Sequence, residues 1–273
     1  NIPTADYQTF SDAASAHSYI DQVGVPVVIK ADGLAAGKGV VVAMTLEQAH
    51  QAIDAMMVNA QFGSSGARVV IEEFMPGEEA SFFVLSDGHN ILPLATAQDH
   101  KRLLDGDLGP NTGGMGAYSP APVITPTLHG KILSQIVKPT IAGMAAEGRP
   151  FKGFLFVGLM IQAGGIPRVV EYNARLGDPE TQVIMPRLHR NMSLVIEAAL
   201  ENRLNTVELE WDRRTALGVV LAAKGYPDNP RKGDPVFGIP KFTEDAMTFH
   251  AGTLINEQGY LLTNGGRVAC AVG

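Results

Sequence analysis

In the segment Val28-Ile29-Lys30-Ala31-Asp32-Gly33-Leu34-Ala35-Ala36-Gly37-Lys38-Gly39-Val40, a β-branched run carrying Lys30 leads through a loop with three glycines and Lys38 into a second β-branched run. Glycine lets backbone N–H groups approach an anion closely, and Lys30 and Lys38 add positive charge, so the loop suits phosphate oxygens. It is not a Walker motif. That motif puts four residues between its glycines, Ser or Thr after its Lys, and a helix next. Here three residues separate Gly33 from Gly37, Gly39 follows Lys38, and a strand comes next. A plain glycine hairpin remains open on this segment alone.

Upstream, Ser11 is placed to cap a helix through Ala13, Ala16, Tyr19, Ile20 and Val23, with Gly24 as its stop. Downstream, Thr45-Leu46-Glu47-Gln48 reads as a capping box opening a helix toward Val58. These elements predict a small βαβ-like lobe over about 10–66. Arg68–Phe74 reads as a buried strand, and Phe82–Leu85 with Ile91–Ala95 as a hairpin turned at Asp87-Gly88. Thr96–Pro122 is long, polar and Gly-rich without periodicity, a length usually reserved for function. A helix follows over Thr127–Glu147, then a hairpin of Phe154–Gln162 and Arg168–Asn173, then helical segments Val183–Leu188 and Ser193–Leu200. After Asn205 the texture turns to short β-rich runs: Leu217–Ala222, Val236–Ile239, Gly252–Ile255 and Val268–Val272. The reading is an α+β chain with one domain over 1–205 and a truncated β-rich domain over 206–273.

Three further constellations carry chemistry. Glu72-Glu73-Phe74-Met75-Pro76-Gly77-Glu78-Glu79 leaves a buried strand. Its backbone suits an adenine edge and Glu79 suits ribose hydroxyls, although a solvated acidic turn explains the same residues. Val169-Val170-Glu171-Tyr172-Asn173-Ala174-Arg175 reads as a strand in which residues two apart share a face, so Glu171, Asn173 and Arg175 converge if the strand persists. A carboxylate beside an amide oxygen suits Mg²⁺, and a nearby Arg suits a transferring phosphoryl group; an exposed ion pair at a strand end is the alternative. The loop Gln98-Asp99-His100-Lys101-Arg102 with Gly109–Gly116 joins cations to flexible backbone, suiting an anionic ligand or a lid.

Bulk properties narrow the classes. The 273 residues are 45% apolar and 18% charged, ordinary globular composition. Lys and Arg number 21 against 28 Asp and Glu, a net charge of -7 that argues against general nucleic-acid binding. Cys270 is the only cysteine, excluding an intrachain disulfide and fitting a reducing cytoplasm. No apolar run approaches the ~18 residues of a membrane span. The start, Asn1-Ile2-Pro3-Thr4, lacks an initiator Met and signal-peptide features, so an upstream segment is expected.

The order of these signals resembles the ATP-grasp superfamily, in which two α+β lobes hold ATP between them. Asp32–Val40, Gln98–Arg102, Gly109–Pro120, Gly177-Asp178-Pro179-Glu180-Thr181-Gln182 and Thr263-Asn264-Gly265-Gly266-Arg267-Val268 are similar to the glycinamide ribonucleotide synthetase family over essentially the whole chain. The resemblance implies ATP-dependent joining of glycine to 5-phosphoribosylamine through a glycyl phosphate, in a cytoplasmic enzyme of purine biosynthesis expected to be a monomer. It implies phosphate contacts from Lys30, Gly33, Gly37, Lys38 and Gly39, and adenine and ribose contacts from Glu72, Glu73, Phe74 and Glu79. Mg²⁺ or Mn²⁺ falls to Glu171 and Asn173, the phosphoryl group to Arg175, and the substrates to Asp99, Lys101, Gly113, Gly114, Asp178 and Thr181.

Two departures bear on this. Nothing corresponds to the family's N-terminal domain, and its C-terminal domain continues past Gly273, so this chain is expected to bind ATP but to make little product alone. Where many ATP-grasp enzymes carry another acidic metal ligand, this sequence has Gly158-Leu159-Met160-Ile161. The competing readings are another ATP-grasp ligase or carboxylase, a kinase-like phosphotransferase, and a nucleotide-binding fragment without catalysis.

Overall fold

The computed structural model describes residues 2–33, 39–239, 242–243 and 245–273. The chain divides into two compact units, Thr4–Gly77 and the stretch Glu78–Gly273 joined by the N-terminal residues up to Pro3.

The smaller unit runs β1 (Tyr7–Phe10), α1 (Ala13–Val23), β2 (Val27–Ala31), β3 (Val40–Ala43), α2 (Leu46–Ile53) and β4 (Val69–Glu73). Its sheet has the order β1-β4-β2-β3, and every pairing is antiparallel. The βαβ-like expectation is therefore corrected, because β3 pairs directly and antiparallel with β2. Asp12, not Ser11, caps α1, accepting from the Ser15 N–H at 2.8 Å. At α2 the expected capping box is present, with Thr45 accepting from the Gln48 N–H and Gln48 Oε1 accepting from the Thr45 N–H. Both helices bury their apolar stripe (Ala16, Ile20, Ala49, Ala52, Ile53) against Val27, Ile29, Val69 and Ile71 of the sheet. On the outer side they meet through His17 Nδ1 and His50 Nδ1, 2.6 Å apart, so one ring must donate while the other accepts.

The larger unit runs β5 (Glu78–Asp87), β6 (Ile91–Pro93), β7 (Gln98–Asp99), β8 (Arg102–Leu104), β9 (Leu108–Asn111), β10 (Gly116–Ser119), α3 (Pro126–Ile132), α4 (Lys138–Ala146), β11 (Lys152–Gln162) and β12 (Ile166–Asn173). It continues with α5 (Glu180–Ile184), α6 (Met192–Leu200), β13 (Ala216–Ala222), β14 (Met247–His250), β15 (Thr253–Ile255), β16 (Leu261–Thr263) and β17 (Arg267–Val272). One sheet has the order β12-β11-β5-β6 and another β14-β17-β13-β10-β7. The C-terminal strands thus share a sheet with β7 and β10 of Thr96–Pro122. That segment is no featureless loop. Its strands of two to four residues are too short, and too broken by Gly109 and Pro110, to show a period of two. Residues 236–239 form no strand; Val236 only donates its N–H to the Leu261 carbonyl at 2.8 Å.

β5 and β11 pair antiparallel from Glu78↔Ile161 to Lys152↔Asp87. One face of this ladder carries Ala80, Phe82, Val84, Leu155, Val157, Leu159 and Ile161, covered by Leu128, Ile132, Ile136, Val137 and Ile141 from the α3–α4 region. The opposite face carries Phe83 and Phe156, edge-on at 5.1 Å, against Val183 and Ile184 of α5 and Val220 and Val272 of the second sheet. Full burial of such a side chain contributes about 1.5–3 kcal/mol.

The β5–β6 turn is fixed by Asp87, which is fully buried. Its carboxylate accepts from the N–H groups of His89 (2.9 Å), Asn90 (2.6 Å) and Leu204 (3.3 Å) and from Asn90 Nδ2 (2.9 Å). Burial alone would raise its pKa; the donors, Asn90 foremost, outweigh burial and hold it below the ordinary carboxylate value. Asp87→Ala strands these donors and is expected to cost roughly 2–4 kcal/mol in urea unfolding. Because the folded pKa is depressed, the difference from the parent should persist above the ordinary carboxylate pKa and shrink as pH falls through the depressed value. An unchanged urea midpoint at pH 7 would contradict this account of the turn.

Candidate active site

In the smaller unit the two feet of the glycine loop are joined by the Ala31 N–H to Gly39 carbonyl bond at 2.8 Å. Gly33 donates its N–H to the Ser65 carbonyl at 3.1 Å, and a Cβ there would lie 2.5 Å from Ser65 Cα, so only glycine fits. Gly37 and Lys38, assigned to phosphates from sequence, lie outside the described residues. Lys30 and Glu72 sit diagonally on adjacent strands and form an ion pair at 2.7 Å. Glu73 ends β4, and half-buried Phe74 follows it. Lys30, Gly33, Gly39 and the Glu72–Phe74 stretch are therefore all carried by the β2–β4 region of one sheet.

In the larger unit the decisive local feature is a β-bulge. Gly158 faces Glu171 but Leu159 faces Val169, so the pairing shifts between them. Val169, opposite Leu159, lies on the α3–α4 face. A regular strand would have sent Glu171 to that same apolar face. The bulge instead turns Glu171 and Asn173 to the face of Glu79 and Ser81, while Tyr172 points the other way and meets Thr140 Oγ1 at 2.7 Å. Asn173 Nδ2 donates to Glu171 Oε1 at 3.2 Å, so the two expected metal ligands stand side by side. A carboxylate next to an amide oxygen on an accessible strand end is a hard-oxygen donor set that fits Mg²⁺ or Mn²⁺ if ligand oxygens complete the shell. Among the described residues no group of three or more His, Cys, Asp and Glu is gathered for a metal. Gly158 offers no ligand; a Cβ there would crowd Glu171 Cγ at 3.2 Å.

The strand ends at Asn173, so Arg175 lies beyond it, exposed, with Nη1 donating to the Leu176 carbonyl at 2.8 Å. Convergence by strand alternation stops there. Arg175 remains near enough to Glu180 for its charge to favour the ionised carboxylate.

Beneath these residues lies a charged cluster. Lys101 Nζ pairs with Glu79 Oε1 and stands 3.9 Å from Asp99 Oδ2. Glu180, only 3% exposed, accepts from Ser81 Oγ at 3.0 Å and packs against Gly177, where a Cβ would meet its oxygen at 2.3 Å. Thr181 donates its hydroxyl to the Gly177 carbonyl. Burial works against the Lys101 charge, but Glu79 and Asp99, with Glu171 after them, raise its pKa. Burial raises Glu180 as well. Burial, then the nearby Glu180 and Glu79 charges, push Asp99 up to about 7 against the pull of Lys101. Sequence reasoning missed Glu180 and Ser81. Ser81 had a signal, since it shares the β5 face of Glu79, whereas an acid opening a helix reads as solvated.

Gly113 and Gly114 lie beside Asp178 in a third group. Arg267 Nη1 donates to the Gly113 carbonyl (2.6 Å) and the Asp178 carbonyl (2.8 Å), and Nη2 pairs with Asp178 Oδ2 (3.0 Å).

The chain resembles known proteins over its whole length. A family profile described as "Phosphoribosylglycinamide synthetase, ATP-grasp (A) domain" matches residues 1–181, and its C-domain counterpart matches 216–273. A phosphoribosylamine–glycine ligase from Ralstonia nicotianae is 63% identical over 272 residues, covering 100% of this chain and 64% of the relative. One from Neisseria meningitidis is 59% identical over 273 residues, with 100% and 64% covered. The crystal structure of a phosphoribosylamine–glycine ligase from Thermotoga maritima superposes with a TM-score of 0.86 at 38% identity, over 100% of this chain and 67% of that one. The biotin carboxylase domain of a Hydrogenobacter thermophilus 2-oxoglutarate carboxylase, at 16% identity and a TM-score of 0.72, covers 99% of this chain and 58% of that one and shares the fold. The fold is ATP-grasp, of α+β class with a small β-rich C-terminal region, as the sequence led us to expect. More narrowly, the chain belongs to the phosphoribosylglycinamide synthetase family, and it spans about 64% of the length of the curated relatives it matches.

Asp99 supplies a test of the cluster. A carboxyl with raised pKa binds its proton more tightly in the folded state, so ionising it costs stability. The cost is absent below about pH 4, grows up to about pH 7 and is complete above it. The stability of Asp99→Asn relative to the parent should therefore rise between pH 4 and 8, by on the order of 2–4 kcal/mol at ~1.4 kcal/mol per pKa unit. Thermal unfolding across that range checks it, and a pH-independent difference would refute it.

Proposed function

We propose that the protein containing this chain is an ATP-dependent carboxylate–amine ligase, joining glycine to 5-phosphoribosylamine and releasing ADP and phosphate in purine biosynthesis. The single observation that most supports the reading is the match of both synthetase profiles to a chain whose β-bulge sets Glu171 and Asn173 side by side. Lys30 and the Gly33–Gly39 loop, including Gly37 and Lys38, hold the phosphates. The Glu72–Phe74 backbone takes adenine, and Glu79 accepts from ribose with the oxygen that Lys101 does not occupy. Glu171 and Asn173 hold Mg²⁺ or Mn²⁺, which when bound neutralises phosphate charge.

A carboxylate is a poor electrophile, so the reaction has two steps. A glycine carboxylate oxygen attacks the γ-phosphorus and ADP leaves. The amine nitrogen then attacks the glycyl carbonyl, loses a proton, and phosphate leaves. Arg175 steadies charge on the transferring phosphoryl group, while Asp99, Lys101, Gly113, Gly114, Asp178 and Thr181 line the substrate side. The protein's contribution is positioning and electrostatic stabilisation. It works in the cytoplasm as a monomer on small molecules, without nucleic acid or membrane.

The test is ADP release by the full-length protein with glycine, phosphoribosylamine and Mg-ATP. Release dependent on both substrates is expected; dependence on bicarbonate instead of glycine would contradict the reading. Arg175→Lys keeps the charge but loses the planar fork, so turnover should fall about 100-fold with little change in nucleotide affinity. Normal turnover would remove Arg175 from the chemistry.

A further inference from the structure

The motif Asn264-Gly265-Gly266-Arg267 has no part in the scheme above, yet its contacts reach the substrate side. Gly113 is exposed, but side chains from the C-terminal region occupy both of its backbone polar groups. Its N–H donates to the Tyr226 hydroxyl at 2.8 Å, and its carbonyl accepts from Arg267 Nη1 at 2.6 Å. The same guanidinium binds the Asp178 carbonyl and carboxylate, so one planar group joins two segments far apart in sequence. Its side chain is 22% exposed and already holds three acceptors, which fits a structural grip better than direct ligand binding.

The surrounding glycines follow from this arrangement. A Cβ on Gly266 would lie 2.3 Å from the Tyr226 ring, so glycine before Arg267 lets the ring lie against the backbone. A Cβ on Gly113 would press on Arg267 Cζ at 3.1 Å and on the Tyr226 oxygen at 3.2 Å. Gly114, at φ +113, has Pro179 Cδ 2.5 Å from where a Cβ would stand. Left-handed backbone beside two bare glycines is entropically costly to hold in one conformation, so an external grip is needed.

We propose that Arg267 and Tyr226 form a clasp that fixes the Gly113–Gly114 backbone against Asp178, making Arg267 a positioning residue for the glycine and phosphoribosylamine side of the site; this rests on the ligase reading. Lys at 267 cannot replace the fork, because a single ammonium does not match two carbonyls and a carboxylate in one plane.

The experiment uses the full-length protein with Arg267→Gln, Arg267→Lys and, should those fold poorly, Tyr226→Phe, which deletes only the acceptor of the Gly113 N–H. Hydrogen exchange over residues 112–116 reads the clasp independently of activity; steady-state kinetics read its use. The expected result is roughly 10-fold faster exchange there, with KM for glycine or phosphoribosylamine raised about 10-fold and KM for ATP changed less than about two-fold. Unchanged exchange in all three variants would overturn the clasp, and an equal rise in KM for ATP would overturn its assignment to the substrate side. If the unsubstituted protein shows no glycine-dependent turnover, the ligase reading falls and the substrate role falls with it, while the exchange result alone decides whether the clasp exists.

Discussion

The antiparallel ladder between β5 and β11 is the constraint on which the larger unit depends. Its ten residue pairs fix which side chains of each strand face the α3–α4 layer and which face the second sheet. Because side chains alternate strictly along a strand, a slip of one residue would exchange the two sets and drive Glu79 and Ser81 into the apolar face. Register and chemistry are therefore one decision: packing the cores also aims the carboxylates.

The bulge in β12 departs from that regularity beside the candidate site. Val169 belongs in the core and Glu171 does not, although they are two residues apart. One extra residue resolves the conflict by reversing the alternation, which sends Tyr172 to the helix layer and Glu171 with Asn173 to the polar side. Below them, Lys101 among Glu79, Asp99 and Glu180 holds charge in a half-buried setting, where an unpaired ion would be costly. Buried charges compensated by one another are costly for stability and are a common feature of sites that bind charged ligands.

Much of this was legible in the sequence. The capping box at Thr45, the β5–β6 turn at Asp87-Gly88 and the β11–β12 hairpin are all written in local chemistry, and all appear where that chemistry puts them. Glu171 and Asn173 were legible as neighbours because two residues on a strand share a face whatever precedes them. The bulge was not legible, since only the partner strand reveals it, and the end of the strand before Arg175 was not either. The antiparallel β2–β3 hairpin was left open by the glycine loop, but the antiparallel places of β1 and β4 escaped because α1 and the α2 segment give no direct information on strand direction. Residues 96–122 escaped because strands of a few residues leave no periodicity. The grip of Arg267 and Tyr226 on Gly113 is a contact across more than a hundred residues of chain, invisible to any local pattern.

In the proposed ligase, β12 delivers Glu171 and Asn173 together as the metal-binding end of the nucleotide site. Calorimetric titration of the full-length protein with a non-hydrolysable ATP analogue, with and without Mg²⁺, tests it most directly when parent and Glu171→Gln are compared. The parent should bind the analogue more tightly with Mg²⁺ present, and Glu171→Gln should lose most of that Mg²⁺-dependent gain while keeping its metal-free affinity. An undiminished Mg²⁺-dependent gain in Glu171→Gln would contradict the account.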